Sequence, residues 1–125
     1  MNADQYNKLS ERIIGCAFKV YNILGCGFLE KVYENSLAHE LRKESLSVDQ
    51  QKPIKVIYDG IVVGEYIADL LVESVIILEL KALKEIDNIH EAQLLNYLKA
   101  TGLKLGLILN FGQPKLQIRR MVRKF

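Results

Sequence analysis

Residues 75–81 read Val-Ile-Ile-Leu-Glu-Leu-Lys. A continuous apolar run is typical of a central strand that is buried on both faces of a sheet. Glu79 and Lys81 stand two residues apart, so their side chains point to the same face. Burying a carboxylate there is costly unless it is paired or binds a metal. The two residues are therefore candidates for a functional site, with a solvated strand end and a local ion pair as the alternative.

The segments around this strand predict an α/β (α+β) domain with the element order α-α-β-β-β-α-β-β. Asp59-Gly60 is typical of a hairpin turn, and the helix between the third and fourth strands favours their parallel pairing. The predicted helices cover residues 4–24, 28–44 and 88–101, and the predicted strands cover residues 47–57, 61–71, 75–80, 103–111 and 116–122.

Composition narrows the class of protein. The chain has 125 residues, of which 50% are hydrophobic and 26% charged, with a net charge of +2. These values predict one globular domain over residues 1–125 and argue against disorder. There is no apolar run long enough for a membrane span and no secretory signal at the polar N-terminus. Two cysteines are too few for a disulfide framework or a Cys-based zinc site, so we expect a cytoplasmic protein with reduced thiols.

Asp69 is the next candidate, because it lies on the strand that precedes the apolar run. If the hairpin turns about Ser74, Asp69 faces Glu79 across the antiparallel pair and the two residues share a face. A two-residue turn at Glu73-Ser74 would shift the pairing by one and separate them, unless a bulge near Asp69 restored the register. The first register predicts that two carboxylates and Lys81 converge.

Glu30 is a third carboxylate, near the start of the second predicted helix. On a helical wheel it falls on the apolar stripe that contains Tyr33 and Leu37. We therefore expect Glu30 to point inward, near the helix N-terminus, where the helix dipole favours its charge. With Asp69 and Glu79 it would form a cluster of hard oxygen ligands suited to Mg²⁺ or Mn²⁺. The alternative is a glutamate of the first turn paired with a lysine.

Polar residues recur on the third predicted helix. His90, Gln93 and Tyr97 follow i, i+3, i+7 spacing and share a face, while Leu94 and Leu95 belong to the apolar face. A polar stripe beside the strand of residues 75–80 would line the same cleft as its charged residues. The alternative is that the stripe is simply the solvated side of an amphipathic helix.

The C-terminal end of the chain is basic. Residues 112–125 contain no acidic side chain and five basic ones, namely Lys115, Arg119, Arg120, Arg123 and Lys124. Such a segment can follow phosphates. It can equally be a solubilising tail or the charged guard of a sheet edge.

Residues 27–33 read Gly-Phe-Leu-Glu-Lys-Val-Tyr, which resembles the G-x-x-E-x-x-Y signature of the GxxExxY protein family. The likeness extends from about residue 13 to residue 111 and includes three further stretches, at residues 67–72, 78–82 and 90–98. This family resembles the PD-(D/E)XK nuclease superfamily, which implies a restriction-endonuclease-like core with a mixed sheet flanked by helices. Ala68 stands where that superfamily often has a proline before the aspartate.

The resemblance implies a role for each candidate. In the superfamily a helix glutamate, a strand aspartate and an E-x-K on the next strand form the active site, and a Q-x-x-x-Y on the following helix marks its RecB-like branch. The implied catalytic residues are Glu30, Asp69, Glu79 and Lys81. The implied ligands of Mg²⁺ or Mn²⁺ are Asp69, Glu79, the Leu80 carbonyl and Glu30. The implied substrate-positioning residues are Gln93, Tyr97 and His90.

The implied function is a metal-dependent nuclease that hydrolyses phosphodiester bonds of nucleic acid. DNA is the first candidate substrate and RNA the second. The resemblance leaves a homodimer or a partner protein open. One alternative is a module that binds nucleic acid without cutting it, although unused buried charges would destabilise such a fold. A second alternative is an interaction subunit that acts through another protein.

Overall fold

The structure, a computed structural model, describes residues 1–124 and has the predicted element order. Three helices accompany a five-stranded mixed sheet, so the expected α+β architecture is confirmed. The helices are α1 (Ala3–Leu24), α2 (Glu30–Lys43) and α3 (Asn88–Thr101). The strands are β1 (Val48–Tyr58), β2 (Ile61–Val72), β3 (Ile76–Lys81), β4 (Leu105–Asn110) and β5 (Gln117–Val122).

The strands lie side by side in chain order, with β3 in the centre of the sheet. β3 and β4 are parallel, and all other neighbours are antiparallel. α3 makes the crossover between the two parallel strands, as the sequence predicted. The central position explains the apolar run, because five of the six residues of β3 are buried.

Turn chemistry sets the β1–β2 hairpin. Asp59 and Gly60 both have positive φ, at 52° and 76°, and Tyr58 pairs with Ile61. A two-residue turn with both central residues in this region matches the twist of the flanking strands. An aspartate tolerates positive φ better than most residues and a glycine adopts it freely, so Asp-Gly favours this turn.

The helices cover the two faces of the sheet unequally. One core joins α1 and α2 to the sheet residues Leu70, Leu78 and Leu80, whereas a smaller core joins α3 to Ile77 and Ile108. Alternation along β3 therefore places Glu79 and Lys81 on the face that α3 covers.

Capping residues fix the limits of α3. Asp87 accepts hydrogen bonds from Ile89 N at 2.8 Å and from His90 N at 3.3 Å, and His90 Nδ1 accepts one from Asp87 N at 3.2 Å. Gly102 ends the helix with φ 75° and donates to Leu98 O at 2.9 Å. Reciprocal capping at the start and a left-handed residue at the end satisfy backbone groups that the helix itself leaves unpaired.

Cys16 and Cys26 are both free thiols, the first buried and the second exposed. Within residues 1–124, no helix is both long and apolar enough to span a bilayer.

Candidate active site

The β2–β3 register brings Asp69 and Glu79 together. Val72 pairs with Ile76 and Leu70 with Leu78, so the next position places Asp69 opposite Glu79. Glu73 and Ser74 form the turn, both with positive φ, and Val75 is an extra residue that donates to Val72 O at 3.0 Å. With Val75 the turn has three residues and is centred on Ser74. No bulge near Asp69 is therefore needed to bring Asp69 and Glu79 into the same register.

Asp69 turns its side chain across the neighbouring strand. Its Oδ2 accepts a hydrogen bond from Leu80 N at 2.8 Å. On the other side, Gln51 has φ 55°, and the pairs on either side of it are Gln50 with Leu70 and Lys52 with Ala68. The irregularity at Gln51 leaves Asp69 out of the regular ladder with β1.

Glu79 is a buried carboxylate with one unpaired oxygen. The residue is only 7% exposed, and Oε1 has no hydrogen-bond partner within residues 1–124. Burial, followed by the Asp69 carboxylate, raises the pKa of Glu79 to about 9, and the charge of Lys81 acts in the opposite direction. At neutral pH Glu79 therefore holds a proton, because Lys81 only partly offsets burial and Asp69. We call Asp69 and Glu79 the carboxylate pair.

Lys81 stands at the end of β3, partly exposed, and forms no ion pair among residues 1–124. Its backbone is held by β4: it pairs with Asn110, and its carbonyl accepts from Phe111 N at 2.8 Å. The ammonium affects the pKa of Glu79, so it lies in the field of the carboxylate pair. Lys81 thus carries a positive charge that is not neutralised by an ion pair within residues 1–124.

The hydrogen bonds that the Asn110 side chain makes just after β3 were not predicted from the sequence. Asn110 is fully buried; its Oδ1 accepts from Leu83 N at 2.9 Å and Gly112 N at 3.1 Å, and its Nδ2 donates to Leu83 O at 2.9 Å and Gln117 Oε1 at 3.0 Å. A Cβ on Gly112 would lie 2.3 Å from Leu83 N, so only glycine fits. These contacts fix the chain just beyond Lys81. A polar amide at the end of an apolar strand was the available signal.

Tyr97 and Gln93 differ in their surroundings. Tyr97 is 5% exposed, and burial, then Glu79, then Asp69 raise the pKa of its hydroxyl to about 12. Tyr97 packs in the smaller core with Ile77, which lies two positions before Glu79 on the same face of β3. Gln93 is exposed and makes no hydrogen bond to Glu79 or Lys81. The structure thus buries Tyr97 on the face of the sheet that carries Glu79 and leaves Gln93 at the surface of α3.

Two further details of α3 differ from the sequence prediction. His90 uses its Nδ1 in the cap of α3 and is paired with Asp87 at 3.3 Å. Leu95, assigned to the apolar face, is 38% exposed, while Tyr97 takes a place in the smaller core beside Leu94. The buried face of α3 is therefore formed by Leu94, Tyr97 and Leu98.

The predicted inward orientation of Glu30 is wrong. Glu30 is exposed, and it lines a shallow cleft with Ala82 and Gly112, at the end of the sheet where β3 and β4 finish. It does lie on the stripe that continues into Tyr33 and Leu37, both fully buried. However, α2 begins at Glu30, so this first residue extends past the sheet instead of packing on it.

Glu34, one turn further along α2, is the buried glutamate of this helix. It is 4% exposed and accepts hydrogen bonds from Lys31 Nζ at 3.0 Å, Gln50 Nε2 at 2.8 Å and Gln51 Nε2 at 2.7 Å. Sequence reasoning missed it, because its partners on β1 are distant in the chain. Its place on the same stripe as Glu30 was the only local signal.

Tyr33 holds the turn that precedes Glu30. Its hydroxyl donates to Gly25 O at 2.6 Å and accepts from Phe28 N at 3.2 Å. Its ring stacks on Phe111, with centroids 4.5 Å apart and an interplanar angle of 17°. The final tyrosine of the 27–33 motif therefore anchors the α1–α2 turn to the end of β4.

The carboxylate pair fits a hard cation, although the predicted three-carboxylate cluster is not formed. In the described residues, no group of three or more His, Cys, Asp or Glu side chains is placed to hold a metal ion. Mg²⁺ commonly uses one or two carboxylates and keeps several waters, so Asp69 and Glu79 satisfy its needs from the protein. The buried Oε1 of Glu79, without a donor, lacks the positive partner that a cation would supply.

The basic C-terminal end borders both layers of helices. Arg119 Nε lies 3.4 Å from Glu91 Oε1 on α3, and Arg120 Nη2 donates to Asn7 Oδ1 on α1 at 2.5 Å. Both arginines belong to β5, an edge strand of the sheet. Their contacts with the helices cover that edge on both sides.

Comparison with known proteins assigns the fold to a family. A sequence profile described as PD-(D/E)XK nuclease superfamily matches residues 7–121. The chain belongs to this superfamily. A solved structure described as "Crystal structure of SSO0001" is similar, with a TM-score of 0.58 and 16% identity over 76% of this chain and 50% of that one. The chain thus spans half of that longer protein, and the likeness concerns the fold. No curated protein sequence shows significant similarity.

Proposed function

We propose that this member of the PD-(D/E)XK superfamily is a metal-dependent nuclease that hydrolyses the phosphodiester bonds of nucleic acid, with DNA as the first candidate substrate and RNA as the second. The observation that carries the proposal is the carboxylate pair. Two carboxyl groups face each other on the buried side of the sheet, and one oxygen of Glu79 has no partner in the described residues. Perturbed carboxylates in a cleft are typical of sites whose chemistry requires them.

The ligands of the proposed ion are Asp69, Glu79 and the Leu80 carbonyl. Glu30, exposed at the start of α2 beside Ala82, would contact the ion through water. When bound, Mg²⁺ or Mn²⁺ supplies Lewis acidity toward the phosphate and a water of lowered pKa. Binding requires Glu79 to release its proton, so metal affinity increases with pH up to the pKa of about 9.

Lys81 stabilises the charge that develops on the phosphate, or orients the attacking water. Its ammonium is unpaired in the described part of the chain. Its backbone is held by pairing with Asn110, whose side chain also binds Leu83 just beyond it. A preorganised charge beside the reacting group is effective because it needs no rearrangement during the reaction.

Tyr97, Gln93 and His90 position the substrate. Tyr97 is buried on the face of the sheet that carries Glu79, and the exposed amide of Gln93 lies at the rim of the same side. The His90 Nδ1 accepts a backbone hydrogen bond, so in the neutral ring the proton sits on Nε2, which can donate to a phosphate oxygen.

A second candidate is a module that binds nucleic acid without cutting it. The absence of a third carboxylate beside the pair, within residues 1–124, is the observation that favours it. The two candidates differ in metal dependence, because phosphate binding by basic side chains alone requires no divalent ion.

Calorimetry with Mg²⁺ and Mn²⁺, followed by incubation with labelled DNA and RNA, tests the proposal. We expect metal binding and cleavage by the parent chain, and neither by Asp69→Asn or Glu79→Gln. Glu11→Gln, which removes an exposed acidic charge on α1, is the matched control and should behave as the parent does. Nucleic-acid binding without metal binding or cleavage would instead support the second candidate.

A further inference from the structure

A groove separates the β1–β2 hairpin from α3. It has a volume of about 300 Å³ and is open to solvent. Its walls include Val56 and Tyr66 from the hairpin and Ile89, Gln93, Asn96 and Tyr97 from α3. Neither the predicted metal ligands nor Lys81 belongs to it, so it is a separate surface.

Tyr97 links the groove to the face of the sheet that carries Glu79. One side of this residue lines the groove, and the residue also packs in the smaller core with Ile77, two positions before Glu79 on the same face of β3. The ring of Tyr66 stands next to it, with centroids 5.4 Å apart and an interplanar angle of 43°. A group bound against Tyr66 would therefore lie on the same side of the sheet as Glu79.

The chemistry of the lining suits a nucleobase better than a phosphate. No charged side chain lines the groove. Tyr66 is 47% exposed and offers an aromatic surface, and the exposed amides of Gln93 and Asn96 make no hydrogen bond within residues 1–124. Bases outside a helix are commonly held by stacking on aromatic rings and by amides that both donate and accept.

We propose that this groove holds an unpaired base of the substrate strand while the adjoining phosphate lies at the carboxylate pair. The inference rests on the proposed nuclease function and adds the substrate class, a single strand or an unpaired end. A base in a duplex would first have to leave its stack, which costs free energy. Because every base has a stacking face, little sequence preference follows.

The groove can be tested without cleavage by measuring the binding of short oligonucleotides in EDTA. Fluorescence anisotropy gives the affinity. The probes are a single strand and a duplex of the same sequence, each as DNA and as RNA. We expect the single strand to bind at least about tenfold more tightly, as one stacked base provides. The DNA and RNA arms show which sugar the surface accepts.

Variants of Tyr66 identify the stacking residue. Tyr66→Ala should weaken single-strand binding about tenfold, and Tyr66→Leu should do so with the apolar packing kept. Tyr66→Phe should bind as the parent does. Tyr58→Ala is the matched control, because Tyr58 is an exposed tyrosine at the tip of the same hairpin and lies outside the groove.

An abasic oligonucleotide provides the decisive comparison. If the ring of Tyr66 stacks on a base, the abasic strand should bind the parent and Tyr66→Ala with equal affinity. Equal affinity of the parent for single strand and duplex, with no effect of Tyr66→Ala, would overturn the groove proposal while metal-dependent cleavage could still stand. Failure to cleave any probe with Mg²⁺ or Mn²⁺ would refute the nuclease itself.

Discussion

Two buried glutamates, Glu34 and Glu79, lie on opposite sides of the same sheet. They differ in the groups that surround the carboxylate. They are similarly hidden, at 4% and 7% exposure. Glu34 accepts hydrogen bonds from Lys31 and from two glutamine amides of β1. Glu79 has an oxygen with no partner in the described residues and lies beside the Asp69 carboxylate. The difference lies in what surrounds the carboxylate, because the depth of burial is nearly the same.

The comparison separates a structural carboxylate from the one that we propose to be functional. A buried carboxylate with several donors is stabilised where it stands, whereas one beside a second carboxylate is destabilised until a cation arrives. Glu34 accepts a hydrogen bond from Gln51, the residue at which the β1–β2 ladder is interrupted, so its role is in the fold.

The largest expected difference between the two glutamates is in turnover, measured after each is replaced by glutamine. Glu79→Gln should lose at least about 10² in turnover, the scale expected for removing a group that stabilises the transition state. Glu34→Gln, which changes the same functional group at the same depth, should remain within a few-fold of the parent. Single-turnover cleavage at saturating Mg²⁺ measures both variants. Equal losses in the two would show that both glutamates act through the fold alone.

Lys81→Met is expected to reduce turnover by about 10² while metal binding stays within a few-fold of the parent. Methionine keeps the packing of the aliphatic stem but removes the charge. Calorimetry for Mn²⁺ and a cleavage assay on the same preparation separate the two effects. Lys31→Met, which removes an ammonium that contacts Glu34, is the matched control and should leave turnover unchanged. Cleavage by Lys81→Met at the parental rate would make Lys81 a structural residue.

The fold was accessible from the sequence because its signals are local. Apolar periodicity, the Asp59-Gly60 turn and the Asp87 cap each depend on a few adjacent residues, and all three are present in the structure. The β2–β3 register was less certain. Turns with or without Val75 as an extra residue fit the same sequence, and tertiary packing decides between them.

The site was only partly accessible. The helical wheel places Glu30 on the same stripe as the buried Tyr33 and Leu37, but it carries no information on where the sheet ends, so it wrongly predicts an inward side chain. The partners of Glu34, at Gln50 and Gln51, are supplied by another element, so its burial could not be read from α2 alone. The assignment of Glu30, Asp69, Glu79 and Lys81 to catalysis stays a prediction for the experiments above.

The two glutamates should also differ in their contribution to stability. Glu34→Gln leaves the amides of Gln50 and Gln51 facing an amide that accepts less well, so unfolding free energy should fall by about 1–3 kcal/mol. Folding of the parent must supply a proton to Glu79 at neutral pH, a cost that the neutral glutamine of Glu79→Gln does not carry, so the metal-free variant should be as stable as the parent or more so. Urea unfolding in EDTA gives both values. A larger loss for Glu79→Gln would contradict the assignment of Glu79 as the strained carboxylate.

The smallest expected difference lies in the pH dependence of stability. The folded pKa of Glu79 is about 9 against an ordinary value of 4.5, so between these limits the native state binds a proton that the unfolded chain has released. The stability contributed by this proton is complete below the unfolded pKa and is lost as pH rises through the folded pKa. Unfolding free energy should therefore decrease with pH, by at most about 1.4 kcal/mol per pH unit for one proton. Measured in EDTA between pH 6 and pH 8, the difference between the parent and Glu79→Gln isolates this slope, because other groups titrate alike in both. Glu34→Gln should keep the parental slope, and an unchanged slope in Glu79→Gln would mean that Glu79 is ionised in the folded protein without a metal.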